Sequence, residues 1–418
     1  MKIGIAGPLG TGDFEHLLSG DTAHLPREMK GAPLLVPLIE SLIAAGHEVA
    51  AFTTDPALEP RRGNRVIARG HRFSVNYVPL RRHSLRPDRG ARGRMLDFFA
   101  LERKELAEAM RDESPDLVHA HWSYEYGSAA LQAGLPALVT CHDAPWAILK
   151  LKRDLYRLGR LLMARSVLVR ARHLTAVSPY LAEELRRMVR CPIQVVPNPV
   201  PSSLIDGGGP RAPADWRGRP PRIVMLINGW GPRKNAEPAM QAMCRILDAY
   251  PGARMHLYGP DFGAGERAQG WAAGQALPEV FEYHGWTPNA EVLRALAEMD
   301  ILVHPALEES FGMTIAEAMT LGVPVVAGQS SGAVPWVLGG SDGGGLLVDV
   351  RSPDAIAEAV LHLLDDKALY ARSSARGRAR ASEVFSPDAV ARAYLACYQR
   401  VLTETGSIPS GALAENVR

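Results

Sequence analysis

The chain has 418 residues, of which 47% are hydrophobic and 22% charged, with a formal net charge of +2 at pH 7. That length exceeds what one hydrophobic core usually supports, so two domains of roughly 200 residues are expected, and the near-neutral charge names no partner by itself. Four scattered cysteines, Cys141, Cys191, Cys244 and Cys397, include no C-x-x-C pair, which excludes a disulfide framework or a zinc pattern and fits a reducing cytoplasm.

Met1-Lys2 followed by Ile3 to Ala6 is too short an apolar run for a signal peptide and reads as a first strand. Further strand candidates in the first half are Glu48 to Thr53, Leu117 to His119, Ala137 to Thr140, Leu174 to Val177 and Ile193 to Val196. The clearest helix runs from Leu34 to Ala45 and is stopped by Gly46. Strand and helix patterns that alternate in this way predict an α/β fold with parallel sheets covered on both faces. The first domain is assigned to residues 1–200.

After Asn198-Pro199-Val200-Pro201 the chain turns to Gly207-Gly208-Gly209-Pro210 and Pro220-Pro221, which cannot propagate helix or sheet, so 201–220 is read as a linker. Alternation resumes at Ile223 to Ile227 and continues through Arg254 to Tyr258, Ile301 to His304 and Val323 to Ala327, up to a helical pattern at Ala355 to Leu364. This predicts a second Rossmann-like domain over 221–385, a C-terminal helix over 386–404, and a frayed tail over 405–418. No stretch reaches the roughly 20 apolar residues of a membrane span, so any membrane contact is expected to be peripheral.

The most informative stretch is Ile301-Leu302-Val303-His304-Pro305-Ala306-Leu307-Glu308-Glu309-Ser310-Phe311-Gly312-Met313-Thr314-Ile315-Ala316-Glu317 with Gly322-Val323-Pro324 after it. It reads as strand, loop, helix, glycine stop and strand. Ser310 to Met313 sit where a helix begins, so their free N–H groups can receive phosphate oxygens, and Gly312 lets a ligand approach the backbone. Glu309 in the loop and Glu317 two turns into the helix are suited to grip paired hydroxyls of a sugar or ribose. A second strand, loop and helix, Ile227-Asn228-Gly229-Trp230-Gly231-Pro232-Arg233-Lys234-Asn235, has the composition of a phosphate loop. A charge pair there at 4 Å is worth on the order of 4 kcal/mol at an effective dielectric of 20.

Two glutamates separated by seven residues, here Glu309 and Glu317, resemble the signature of the family 4 glycosyltransferases of the GT-B fold. The likeness extends to Asp116-Leu117-Val118-His119-Ala120-His121, Thr140-Cys141-His142-Asp143, Ala176-Val177-Ser178 and Val196-Pro197-Asn198-Pro199. The resemblance implies two Rossmann-like domains facing across a cleft, the C-terminal helix returning to the N-terminal domain, and retaining transfer from a nucleoside-diphosphate sugar. The base is open, with UDP expected before GDP. It places Glu309 on donor-sugar hydroxyls, Glu317 on the ribose, and Lys234 on the diphosphate with the amides of Ser310, Phe311, Gly312, Met313 and Thr314. His142 would face the transferred sugar. Where the family usually carries an arginine about five residues before the lysine, this chain has Gly229, and Arg233 is expected to substitute. Where the family has a Gly-Gly pair, this chain has Lys30-Gly31-Ala32, which makes Gly31 a phosphate contact, with Gly10-Thr11-Gly12 as a competing cradle.

His119 and His121 are expected on opposite faces of their strand and so share no ion, and the chain contains no Asp-x-Asp. A metal-independent, hexosyltransferase-type enzyme without cofactor is the expectation. Rival readings are an epimerase or phosphorylase of the same fold, a sugar-nucleotide-binding protein without catalysis, and a dinucleotide oxidoreductase. The last is disfavoured because Gly7-Pro8-Leu9-Gly10-Thr11-Gly12 has the wrong spacing. Between Arg61 and Arg94 eleven arginines face one acid, Asp88, and Trp146 to Arg172 mixes cations with leucines. Both stretches read as either a solvated face or a contact with an anionic membrane at the inner face of the cell membrane. Nucleic acid is not expected, because interleaved aromatics are lacking.

Overall fold

The structure, a computed structural model, describes residues 1–151, 153–205, 210–216 and 218–406. It divides into two units, Met1–Pro199 with Pro387–Arg418, and Val200–Ser386. Most of the tail read at 405–418 lies outside the described residues.

The first unit is built on β1 (Lys2–Ala6), β2 (Glu48–Asp55), β3 (Val66–Gly70), β4 (Phe73–Pro79), β5 (Leu117–His121), β6 (Ala137–Cys141), β7 (Leu174–Ala176) and β8 (Ile193–Val195). The sheet order is β3-β4-β2-β1-β5-β6-β7-β8, parallel except where β3 meets β4. Ile3, Ile5, Val49 and Leu117 pack with Leu35, Leu38, Ile39 and Leu42 of the helix Leu35–Ala44 in one core. Its apolar stripe repeats at three and four residues, as a helix covering a sheet requires. The last helix, Pro387–Glu404, buries Val390, Tyr394, Tyr398 and Val401 in the same core.

Two strands in this unit are absent from the sequence expectation. β4 is wholly buried, and the arginines and histidine that flank its short apolar run mask it in the sequence. Acids of the helix Ala100–Glu113 neutralise the same basic stretch. Arg65 meets Asp112 at 2.6 Å and Glu108 at 3.4 Å, and Arg69 meets Glu113 at 3.1 Å. Arg81 is only 2% exposed and bridges Asp97 at 2.8 Å and Glu102 at 2.6 Å. The reading of Arg61 to Arg94 as one free basic face is therefore corrected: counting charge along the chain missed acids that folding brings alongside.

The second unit has β9 (Arg222–Leu226), β10 (Arg254–Tyr258), β11 (Phe281–Gly285), β12 (Ile301–His304), β13 (Val325–Gly328) and β14 (Gly345–Val348). All are parallel, in the order β11-β10-β9-β12-β13-β14. The stretch read as a linker is anchored here. Arg211 donates to the carbonyls of Leu321, Met299 and Ala297, and the buried Trp216 indole donates to Leu364 at 3.0 Å. A short helix, Ser202–Ile205, opens the stretch, and the described part of the proline- and glycine-rich chain after it stays tied to the core. Among the described residues no helix is long and apolar enough to cross a membrane.

Candidate active site

In a doubly wound sheet, ligands bind beyond the carboxyl ends of the strands where the strand order reverses. In the second unit that point lies between β9 and β12, so the loops at 227–235 and 305–312 form the site. The loops are tied together by the Leu307 N–H donating to the Arg233 carbonyl at 2.8 Å and by the Asn235 side chain donating to the Pro305 carbonyl at 3.0 Å. Asn235 has φ +52° and precedes the helix Ala236–Ala249, while Gly229, at φ +87°, makes the turn a side chain would strain.

These ties place Lys234 against Glu309, with Nζ 2.5 Å from Oε1. His304 Nε2 lies 3.6 Å from the same oxygen, and Arg233 Nη1 lies 4.0 Å from the other. Burial pushes the Glu309 carboxyl up, but His304, Lys234 and Arg233 together pull it well below the usual carboxylate range. Its backbone carbonyl accepts from the Ala333 N–H at 2.9 Å, which fixes the loop. Glu309 is thus a positioned, ionised acceptor. Arg233 donates to the Glu308 carboxylate at 3.0 Å, and burial raises the Glu308 carboxyl.

Gly312 has φ +101° and caps the helix Met313–Thr320, so the amides of Met313 and Thr314 open a helix N-terminus. The Thr314 hydroxyl is paired with His304 Nδ1 at 3.2 Å. Phe311 is turned into the interior against Phe385 at 5.3 Å between ring centroids, so it offers a ligand its backbone and not its ring. Ser310 is part of the same loop. Glu317, on the second turn, is buried, and desolvation alone pushes its carboxyl up to about 7. Of the expected donor residues, Gly229, Arg233, Lys234, Glu309, Ser310 to Thr314 and Glu317 belong to this unit. Gly31 and His142 belong to the first.

In the first unit His142 follows β6 and stacks on Trp122 at 4.1 Å between centroids. Its Nε2 is 2.9 Å from His121 Nδ1, and burial pushes its imidazole down to about 3, so it stays neutral near pH 7. His119 and His121 share a face, with centroids 4.0 Å apart, which overturns the expectation of opposite faces. Side chains two residues apart on a strand point the same way. His119 is held between Tyr398 at 2.8 Å and Thr140 at 2.6 Å. The two glycine cradles are one arrangement: a Cβ on Gly31 would lie 2.2 Å from the Gly10 nitrogen, and the Ala32 N–H donates to Pro8 at 2.8 Å.

Sequence reasoning missed Glu308, His304 and Asn235. Glu308 sits beside Glu309 in the motif, but its partner Arg233 is 75 residues away. No local spacing encodes that pair.

The profile described as "Glycosyltransferase Family 4" matches residues 35–204, and the profile described as "Glycosyl transferases group 1" matches residues 220–366. A lipopolysaccharide core biosynthesis mannosyltransferase of Rhizobium meliloti is 38% identical over 104 residues, 25% of this chain and 30% of that relative. The chain therefore matches under a third of that relative's length. Sucrose-phosphate synthase from Thermosynechococcus elongatus superposes with a TM-score of 0.72 at 19% identity, covering 97% of this chain and all of that one. The Anabaena protein HepE, solved with UDP-glucose, gives 0.64 at 17% identity, covering 98% and 100%. Two doubly wound units with these neighbours define the GT-B fold of the glycosyltransferases. With both profiles matched, the chain belongs to the family 4 glycosyltransferases.

Proposed function

We propose that this chain transfers a sugar from a nucleoside-diphosphate sugar to an acceptor hydroxyl, with retention of anomeric configuration and without a metal ion. The observation that carries the reading is the Lys234–Glu309 pair at the strand-order reversal of the second unit, beside a glycine-capped helix N-terminus. A donor would divide this pair, drawing Lys234 to its diphosphate and leaving Glu309 to accept sugar hydroxyls. As the glycosidic bond breaks, negative charge gathers on the departing phosphate, where Lys234 and the amides of Met313 and Thr314 stabilise it more than in the ground state. The new bond forms from the acceptor oxygen to the anomeric carbon, and its proton passes to the departing phosphate. No protein base is assigned. His142, held neutral by burial, can donate or accept one hydrogen bond to a sugar hydroxyl without carrying charge.

UDP is proposed before GDP because the neighbour HepE was solved with UDP-glucose, and GDP is the alternative because the Rhizobium relative is named a mannosyltransferase. Polysaccharide, glycolipid and natural-product glycosides are the candidate product classes. Incubation with nucleotide sugars should release the free nucleoside diphosphate together with a glycoside, and activity should survive EDTA. Release of an isomerised sugar nucleotide, or activity lost in EDTA and restored by manganese, overturns the reading.

Glu317 gives this proposal a pH signature. Its folded pKa lies above the ordinary value of 4.5, so the protonated form is favoured by folding, and the ionised form costs stability as pH rises from 4.5 through about 7. Ribose hydroxyls are donors and favour the ionised form. Affinity for a nucleoside diphosphate should therefore rise between pH 6 and 8. In Glu317→Gln that part of the rise should vanish, leaving only the ligand's own phosphate titration. An identical pH profile in both proteins removes Glu317 from the ribose.

A further inference from the structure

The donor chemistry makes no use of one surface of the first unit. Of the twelve large apolar side chains exposed among the described residues, eight lie between Leu85 and Leu162 in the chain, so they are not scattered. Leu155, Leu158 and Leu162 form a ridge along the helix Leu155–Arg170, at 75%, 42% and 48% exposure, while Met163, Val167 and Leu168 bury the opposite face. Leu85, Trp146, Leu155 and Leu158 line one open hollow, and Phe98 with Leu162 lines the next. Phe98 and Phe99 both adopt left-handed backbone, with φ +52° and +62°. That conformation is costly for a bulky residue. It turns Phe99 into the interior, at 2% exposure, and leaves Phe98 42% exposed.

The apolar ridge is framed by cations. From Pro145 to Arg172 there are eight lysines and arginines against one acid, Asp154. That acid is paired with Arg157 at 2.7 Å, while Lys150, Arg153 and Arg165 are exposed without an ion pair among the described residues. Lys150 lies over the Trp146 ring at 5.5 Å, an arrangement suited to a headgroup layer, where indole and ammonium both keep a polar edge. Apolar side chains that enter the acyl boundary, ringed by cations that meet anionic headgroups, match a bilayer surface.

We propose that this face docks the first unit peripherally on an anionic lipid bilayer. The neutralised arginines of Arg61 to Arg82 are not part of it. The hollow shares Tyr156 with a cavity of about 230 Å³ lined by Thr54, Trp122, Glu125, Asp143 and Arg160. That cavity lies beyond the carboxyl ends of β2, β5 and β6. Resting on the transfer reading, docking there brings an amphiphile's polar headgroup to the cavity without its leaving the membrane.

The full chain should co-sediment with phosphatidylglycerol–phosphatidylcholine vesicles. Binding should fall about tenfold or more on pure phosphatidylcholine and fall again as salt rises. Leu155→Ser with Leu158→Ser changes only exposed side chains. That variant should lose vesicle binding while keeping its melting temperature and nucleoside-diphosphate affinity. Binding indifferent to lipid charge, no binding at all, or a Leu155→Ser/Leu158→Ser variant that sediments like the wild type overturns the proposal. So does concentration-dependent self-association that this variant abolishes, which would make a second copy the occupant. Vesicle binding as expected, with no nucleotide bound by either protein, leaves the docking face standing and removes the transfer reading instead.

Discussion

Lys234→Ala is expected to lower kcat/KM by about two to three orders of magnitude, the usual cost of removing one preorganised donor to a developing oxyanion. The loss should appear mainly in kcat, because the charge Lys234 meets grows as the diphosphate departs. Glu309→Gln should lower kcat to a similar extent for a different reason. It keeps the shape but removes the ionised acceptor that Lys234, His304 and Arg233 hold in place. Glu309 is assigned to the donor sugar, so the bare nucleoside diphosphate should bind Glu309→Gln nearly as well as the wild type. Steady-state kinetics with a saturating acceptor measures both. A Lys234→Ala enzyme whose only change is a raised donor KM would place the lysine in ground-state binding.

Arg81→Met should destabilise the first unit by about 3–5 kcal/mol, because it strands Glu102 as a buried, uncompensated carboxylate. Glu102 is fully buried, and its Oε1 accepts from both the Arg81 backbone N–H and Nε, each at 3.0 Å. The melting temperature of that unit should fall by about 10 °C. Adding Glu102→Gln should recover much of the loss, since the second change removes the stranded charge. Arg86→Ser, at an exposed arginine of the same stretch, should change stability by less than about 0.5 kcal/mol. Equal melting temperatures for Arg81→Met and Arg86→Ser would show the buried ion pair to be inconsequential.

Where burial on both faces leaves a continuous apolar run, as at Ile3 to Ala6, Ile223 to Ile227 and Ile301 to His304, the strands were legible in the sequence. β11 was not, because the exposed Glu282 and His284 break its run, and β14 was not, because its apolar run is only Leu346 to Val348 behind three glycines. The Glu309 to Glu317 spacing was legible because one loop and one helix carry both. The state of those carboxyls was not: Glu309 owes its low pKa to His304 at the end of β12 and to Lys234 and Arg233 from another loop, and Glu317 owes its raised one to the packing around its helix. Gly10 and Gly31, read as competitors, touch because the chain between them loops back to the end of β1, where the Ala32 N–H donates to the Pro8 carbonyl. Such contacts join segments far apart in the chain, and a local pattern cannot encode them.

Calorimetric titration of UDP and of GDP into the wild type, Glu309→Gln and Glu317→Gln in EDTA at pH 8 tests the donor site most directly. One nucleoside diphosphate should bind at a single site, with Glu309→Gln close to the wild type. Glu317→Gln should be weaker by about tenfold or more, the worth of a charge-assisted hydrogen bond to the ribose. Failure of both diphosphates to bind, or equal losses in the two variants, would contradict the assignment of the second unit to the donor.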